Sequence, residues 1–399
     1  MIRKIFFIAI AALLLAGCRE EMPDMQNPRT DINIYNWSQL FESYWTGMNY
    51  NYLFWDIDPT DWDEVYREYK PKFDALADED FDNAEVNNEA LGMIHELSST
   101  LIDGHFSITL KINGTTYPFE PPYKRILKRK NYHETGEFNL YWINTLQLMG
   151  KEGRFTHFTY QSHAKSDSTY IGIGAGMLDE DIIYFRLGRF GLTPHDKTDD
   201  NIGQVIAHYH DLLDNYPNVK GVVIDVRNNG GGLLRDLPIV LGKLTDKERV
   251  FCYTRQKNGI GRLDYTPWTP ETLKPVDRKR ELDVPVVVLA DMNSISMAEM
   301  TTMAVLALPK GCFIGETTWG GNGTLISDNS LFELYYGGYF QNNVIMAHTT
   351  MTMMKDVNGV IHEGTGIRPT IEAPYDAESF ANGIDTQLER AVKYIHTGK

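Results

Sequence analysis

An α/β fold behind a helical N-terminal segment is predicted by three observations. Two apolar runs, Val219 to Val226 and Val284 to Leu289, have the length and continuity of strands buried on both faces. Each is followed by a polar turn and then a helical pattern, and such alternation builds a sheet with helices packed against it. Ahead of them, from Trp37 to about Ser99, apolar and aromatic residues recur at helical spacing.

At the N-terminus, Arg3 and Lys4 precede an unbroken apolar run from Ile5 to Leu15. A helix that spans a bilayer needs about 20 such residues, and this run is shorter. It ends in Leu15-Ala16-Gly17-Cys18, with small residues just before a cysteine. Residues 1–17 therefore read as a cleaved export signal, and the ending resembles the bacterial lipobox. The lipobox reading implies that Cys18 becomes the first mature residue and carries a lipid. The alternative is a plain signal peptide with a chance cysteine. The expected location is the bacterial cell envelope, with a lipid anchor to the outer membrane on its periplasmic or surface face. Residues 18–36 are polar, contain Pro23 and Pro28, and read as a tether.

Residues 37–105 are expected to form a helical subdomain. Phe41, Tyr44, Trp45 and Met48 share one helical face, and Asp61 can cap a second helix through Val65, Tyr66 and Tyr69. Leu91, Ile94, Leu97 and Leu101 line a third, from Asn88 to Leu101. These aromatics read as core. Residues 106–169 mix short strand-like pieces with basic and aromatic residues, and are expected to be a small cap or insert. Residues 170–399 read as the main core. Within it, Ile182 to Phe190 is strand-like, and Asn201 to Tyr216 is an amphipathic helix. His208 and His210 on that helix are two residues apart and point away from each other, so they are not a metal pair.

The composition is ordinary for a globular protein, 42% hydrophobic and 12% aromatic. A formal charge of −16 leaves no basic footprint for a nucleic-acid partner. Besides Cys18 there are two cysteines, Cys252 and Cys312, both in apolar strand-like runs. They can pair in an oxidising compartment or stay as buried free thiols.

Two loops carry the candidate chemistry, and each follows a buried strand. In Arg227-Asn228-Asn229-Gly230-Gly231-Gly232, the glycines free the backbone for positive φ and let amides approach a ligand. That suits an oxyanion hole, although a flexible turn has the same composition. In Asp291 to Glu299, Ser296 stands between a strand and the helix Met297 to Leu306. The helix dipole favours an anion there; a simple N-cap serine would occupy the same place.

Four motifs in order carry a resemblance to a known family. They are Asp-Val-Arg-Asn-Asn-Gly-Gly-Gly at 225–232, Ser-Met-Ala-Glu at 296–299, Gly-Glu-Thr-Thr-Trp-Gly at 315–320 and Glu-Gly-Thr-Gly-Ile-Arg-Pro at 363–369. Together they resemble the C-terminal-processing peptidases, which include the tricorn core. The resemblance covers about 170 to 386, and more weakly Trp37 to Ser107. It implies a crotonase-like ββα-spiral core, with Ser296 as nucleophile and the amides of Gly231, Gly232 and Met297 as oxyanion hole. The processing branch has a lysine base where this chain has Gly321, and Lys310 and Lys355 fit no motif. The tricorn branch uses a histidine and a glutamate, which match His105 and Glu363. That branch has a serine before the histidine, where this chain has Gly104; either Asp103 or Ser107 orients the ring instead, or nothing does. The last motif usually continues with aspartate and here continues with Thr370. No PDZ signature is evident.

The implied function is hydrolysis of peptide bonds in extended polypeptides, with no metal or cofactor. A histidine base with an ordinary pKa of ~6.5 would make activity rise across roughly pH 6 to 7.5. Two rivals share the scaffold: a peptide- or ligand-binding protein without catalysis, and an acyl-CoA enzyme of the crotonase fold.

Overall fold

The structure is a computed structural model that describes residues 33–79, 81–130, 132–165, 169–259, 261–325 and 338–399. The signal-like segment and Cys18 lie outside the described residues.

Three helices come first: α1 (Trp37–Asn51), α2 (Trp62–Asp74) and α3 (Ala84–Ser98). Each starts at a side chain that accepts hydrogen bonds from first-turn amides, namely Asn36, Asp61 and Asn83. The cap at Asn83 starts α3 four residues before the apolar periodicity becomes visible at Asn88. The aromatics are core as expected: Phe41 and Phe73 stack at 4.8 Å, and Trp37, Tyr44 and Trp62 are buried.

The chain continues through β1 (Ser107–Ile112), β2 (Thr115–Phe119), α4 (Pro121–Ile126), α5 (Thr135–Lys151) and β3 (Phe155–His163). Next come β4 (Tyr170–Leu178), β5 (Ile182–Leu187), α6 (Asn201–Asn215), β6 (Gly221–Asp225) and α7 (Leu237–Leu241). Then follow β7 (Arg249–Gln256), β8 (Thr269–Leu273), β9 (Val286–Ala290), α8 (Met297–Leu306) and β10 (Gly311–Gly315). The last elements are β11 (Tyr339–Gln341), β12 (Ile345–His348), β13 (Thr352–Asp356), β14 (Ile371–Glu372), α9 (Ala377–Ala381) and α10 (Thr386–Thr397).

The main sheet has the order β14-β10-β9-β6-β5-β4-β3. Strands β14, β10, β9, β6 and β5 run parallel, and β4 and β3 close one side antiparallel. Strands β6 and β9 are buried along their whole length, because helices cover both faces. This is the α/β core behind N-terminal helices that the sequence predicts, with β4, β5 and α6 as one ββα unit.

Register places the functional loops. Asp225 pairs with Leu289, and Ala290 with Gly315, so the carboxyl ends of β6, β9 and β10 lie side by side. The loops after them leave the same edge of the sheet, where ligands of open α/β sheets bind. Buried ion pairs fix the first loop. Asp225 binds Arg186 at 3.0 Å and Arg227 at 2.7 Å, and Arg227 reaches Asp385 at 2.8 Å. Burial alone would raise the Asp225 carboxyl, but the two guanidinium charges hold it well below the carboxylate range.

Residues 106–169 differ from the expected cap or insert. β1 and β2 pair with β12 and β11 in a four-stranded antiparallel sheet, β11-β12-β1-β2, that packs on the N-terminal helices. β3 belongs to the main sheet. The helix α5 was not foreseen. Its buried face is Phe138, Trp142, Thr145, Leu146 and Met149, but Leu140, Ile143 and Leu148 are exposed and blur the apolar stripe. Cys252 and Cys312 are free and buried. Among the described residues, no helix is long and apolar enough to cross a membrane.

Candidate active site

Ser296 sits at the N-terminus of α8 with φ 60° and ψ −116°. Ser296 and Glu299 form a capping box, but an N-cap residue ordinarily has extended φ/ψ, so capping alone does not account for this backbone. A non-glycine residue there costs on the order of 1–3 kcal/mol. The strain is held by hydrogen bonds: the Ser296 amide donates to the Gly321 carbonyl at 3.0 Å and to Glu299 Oε2 at 3.2 Å. This sharp strand-to-helix elbow leaves the serine partly exposed above the sheet edge.

The glycine loop rests directly on the elbow. The Ile295 amide donates to the Asn229 carbonyl at 3.1 Å. A Cβ on Gly231, at φ 85°, would stand 2.7 Å from Ser296 Cβ, and one on Gly232 would collide with the Phe190 carbonyl. Only glycine fits either position. The Gly231 amide is occupied, donating to Asn229 Oδ1 at 2.8 Å. The Gly232 and Met297 amides have no acceptor among the described residues. Asp291 ties the two loops together: its Oδ1 accepts from the Asn228 amide at 2.8 Å, the Asn293 amide at 3.0 Å and Ser294 Oγ at 3.0 Å. Burial would raise this carboxyl, but His133 beside it, together with these donors, keeps it below the usual range.

Glu299, three residues after the serine, is buried and accepts from Thr318 Oγ1 at 2.6 Å and from the Gly320 and Gly321 amides at 2.9 Å each. It thereby fixes the loop after β10 to the elbow. Burial pushes its carboxyl up, and these donors pull against the rise.

The histidine loop packs on this same segment. The Trp319 indole donates to the Gly104 carbonyl at 3.1 Å. A Cβ on Gly104 would fall on the Gly320 carbonyl and on Gly321 Cα, whereas one on Gly321 would first meet the Ile295 side chain at 2.9 Å. Gly104→Ser, which supplies the residue of the tricorn branch, is expected to lower hydrolytic activity at least about tenfold and to cost roughly 1–3 kcal/mol from overpacking. Steady-state kinetics and a thermal melt check this; a variant as active as wild type would remove the steric argument.

Glu363 Oε1 accepts from the Gly104 amide at 2.7 Å, and its Oε2 from the Asn322 and Gly323 amides at 3.0 and 3.3 Å. Its contact is with the backbone that carries His105; no hydrogen bond joins it to the ring. Asp103 likewise accepts from the His105 amide at 2.8 Å and from the Thr350 amide and hydroxyl at 2.7 Å each. Burial, and for Glu363 also the Asp103 charge, push both carboxyls up. His105 Nδ1 is shut off from solvent and has no partner. Burial lowers the imidazole to about 4. One polar atom each from Asp103, His105 and Glu363 lie within 4.8 Å of one another, the spacing of a metal ligand set. Both carboxylates are already filled by amide and hydroxyl donors, so the set as placed is a poor one for a cation.

Lys310 pairs with Asp283 and Lys355 lies over the Trp268 ring, so neither reaches the elbow. His208 and His210 bond to separate carbonyls, of His157 and Ile239. Sequence reasoning missed the supports around the site: Asp291, Asn229, Arg125 and Arg129. Asp291 stood in a quoted motif, but what it binds was not readable there.

Ser296, the glycine loop, His105 and two buried carboxyls thus stand together at the carboxyl edge of the sheet. Residues 181–373 match Peptidase family S41, and the protein carries a domain of that family. The matched segment contains the glycine loop, Ser296 and Glu363, and stops short of His105. Tricorn protease of Thermoplasma volcanium is 26% identical over 182 residues, 44% of this chain and 15% of the relative. Nisin-resistance protein of Lactococcus lactis is 25% identical over 176 residues, 43% of this chain and 52% of the relative. The chain thus spans about half or less of the length of these curated relatives. A crystal structure from Parabacteroides merdae matches with TM-score 0.62 and 23% identity, over 90% of this chain and 96% of that one. Mature CPAF complexed with lactacystin matches with TM-score 0.56 and 11% identity, over 91% and 99%. These two likenesses extend the shared fold to the N-terminal helices.

Proposed function

We propose that the protein is a serine endopeptidase that cuts extended polypeptides through an acyl-enzyme on Ser296. The observation that carries this reading is the strained elbow at Ser296, held against a loop in which only glycine fits.

Ser296 Oγ attacks the scissile carbonyl carbon while its proton passes to His105. With Nδ1 enclosed, Nε2 is the nitrogen left to take it, and the neutral ring is ready to do so at pH 7. Asp103 and Glu363 stand within 4.8 Å of the ring; burial raises both carboxyls, and a positive charge on the ring would favour their ionised forms. The Gly232 and Met297 amides receive the oxyanion; the Gly231 amide joins only if it leaves Asn229. The C–N bond then breaks, His105 returns the proton to the leaving amine, and water hydrolyses the ester by the reverse sequence. In this reading Glu363 supports the histidine through the Gly104 amide.

Purified protein incubated with unfolded casein tests the function. Internal fragments, and cleavage of peptides blocked at both ends, are expected. Release of single amino acids alone, or no cleavage, would overturn the endopeptidase assignment. The anchor is a separate proposal that rests on residues 1–18: intact mass of the natively produced protein should show diacylglycerol on Cys18, and an unmodified Cys18 would refute it.

A further inference from the structure

Two arginines with no part in this chemistry hold both halves of the site. The helix α4 continues one turn past Ile126: the Leu127 amide donates to the Tyr123 carbonyl at 3.1 Å and the Arg129 amide to the Ile126 carbonyl at 2.9 Å. Arg125 and Arg129, four residues apart, therefore leave the same face.

Arg125 donates to three consecutive carbonyls, of Leu101 at 2.6 Å, Ile102 at 2.9 Å and Asp103 at 3.2 Å. These immediately precede Gly104-His105. Arg129 also donates to three consecutive carbonyls, of Thr317 at 3.1 Å, Thr318 at 2.6 Å and Trp319 at 3.0 Å. These immediately precede Gly320-Gly321, and the Gly321 carbonyl holds the Ser296 amide at 3.0 Å. One turn of chain thus grips the strand of backbone that carries the histidine and the strand that carries the serine. The planar guanidinium suits this task, since its five N–H groups form a rigid fork that serves several acceptors at once. Both guanidiniums are half-buried and stand in the field of buried carboxylates, Arg125 beside Asp103 and Glu363, Arg129 beside Glu299.

We infer that Arg125 and Arg129 are positioning residues that set the separation between His105 and Ser296, an inference that rests on the serine-peptidase reading above. A misplacement of about 1 Å between reacting groups costs on the order of 10²-fold in rate. Lysine keeps the charge and the stem but not the fork, so it should loosen the grip without emptying the site.

The test uses the full chain with Arg125→Lys, Arg129→Lys and Arg129→Ala. It reads kcat and KM on a doubly blocked peptide, the rate at which a fluorophosphonate labels Ser296, and Tm. Each lysine variant is expected to lose about 10- to 100-fold in kcat with KM within about threefold, and labelling should slow in parallel. Guanidinium at tens of millimolar should restore part of the activity of Arg129→Ala, and methylammonium should not. If the alanine variant does not fold, the lysine variants carry the test. Folded lysine variants with kcat within about threefold of wild type would overturn the inference, even if Tm fell, because the arginines would then serve the fold alone. A wild type that neither hydrolyses the peptide nor takes the label would sink the peptidase reading itself.

Discussion

Ser296→Ala is expected to abolish hydrolysis of casein, with a loss of about 10³- to 10⁶-fold in kcat, and to leave the fold intact. The size follows from the role: a nucleophile works as one unit with its base, and removing it leaves only binding and the oxyanion donors. Survival of the fold follows from the contacts. The elbow is held by the Ser296 amide on the Gly321 carbonyl and on Glu299, and by the Ser296 carbonyl, which accepts from the Met300 amide at 3.0 Å. These backbone groups remain in alanine; only the side-chain half of the Ser296–Glu299 capping box is lost, which costs about 1 kcal/mol. A thermal melt should shift by no more than a few degrees. If the variant digested casein within tenfold of wild type, Ser296 would be an unusually strained turn residue and nothing more.

His105→Gln is the second large effect, with an expected loss of 10²- to 10⁴-fold, as for removal of a general base. The pH dependence is more informative than the size. An unperturbed imidazole would make activity climb between roughly pH 6 and 7.5. Burial instead lowers His105 to about 4. The base form then persists to lower pH, so kcat/KM should be flat from about pH 6 to 8 and fall only as the pH approaches about 4. Stability has the same sign. The folded pKa lies below the unfolded one, so the neutral ring favours the folded state fully above about 6.5. That contribution is lost as pH falls through the folded value. His105→Gln removes it, so the variant should lose less stability than wild type on acidification. An activity midpoint near 6.5 in the free enzyme would mean that His105 is solvated before substrate binds.

The elements with the simplest physics were the most legible. The helix α8 runs from Met297 to Leu306, as read from its pattern, and β6 and β9 fall inside the two apolar runs, β9 ending one residue later, because strands covered on both faces must be apolar throughout. Helix α5 was lost for the opposite reason: Leu140, Ile143 and Leu148 face solvent and dilute the 3.6-residue period. The split of 106–169 between two sheets was invisible because β1 pairs with β12 more than two hundred residues away, and pairing at that range leaves no local trace. At the site, Ser296 and the glycines carried local signals, whereas His105 and Glu363 were reached only through resemblance. Glu363, which the resemblance implies supports the site, bonds not to the His105 ring but to the amides of Gly104, Asn322 and Gly323, contacts that no residue pattern shows. Arg125 and Arg129 act on carbonyl oxygens, which every residue has, so no pattern of residue types reveals their partners.

The most direct test of a nucleophilic Ser296 is to treat the purified protein with a fluorophosphonate and map the adduct by tandem mass spectrometry. One adduct per chain on Ser296 is expected, formed more slowly in His105→Gln and absent from Ser296→Ala. A preparation that cleaves casein but carries its adduct on another residue, or takes none, would contradict the account.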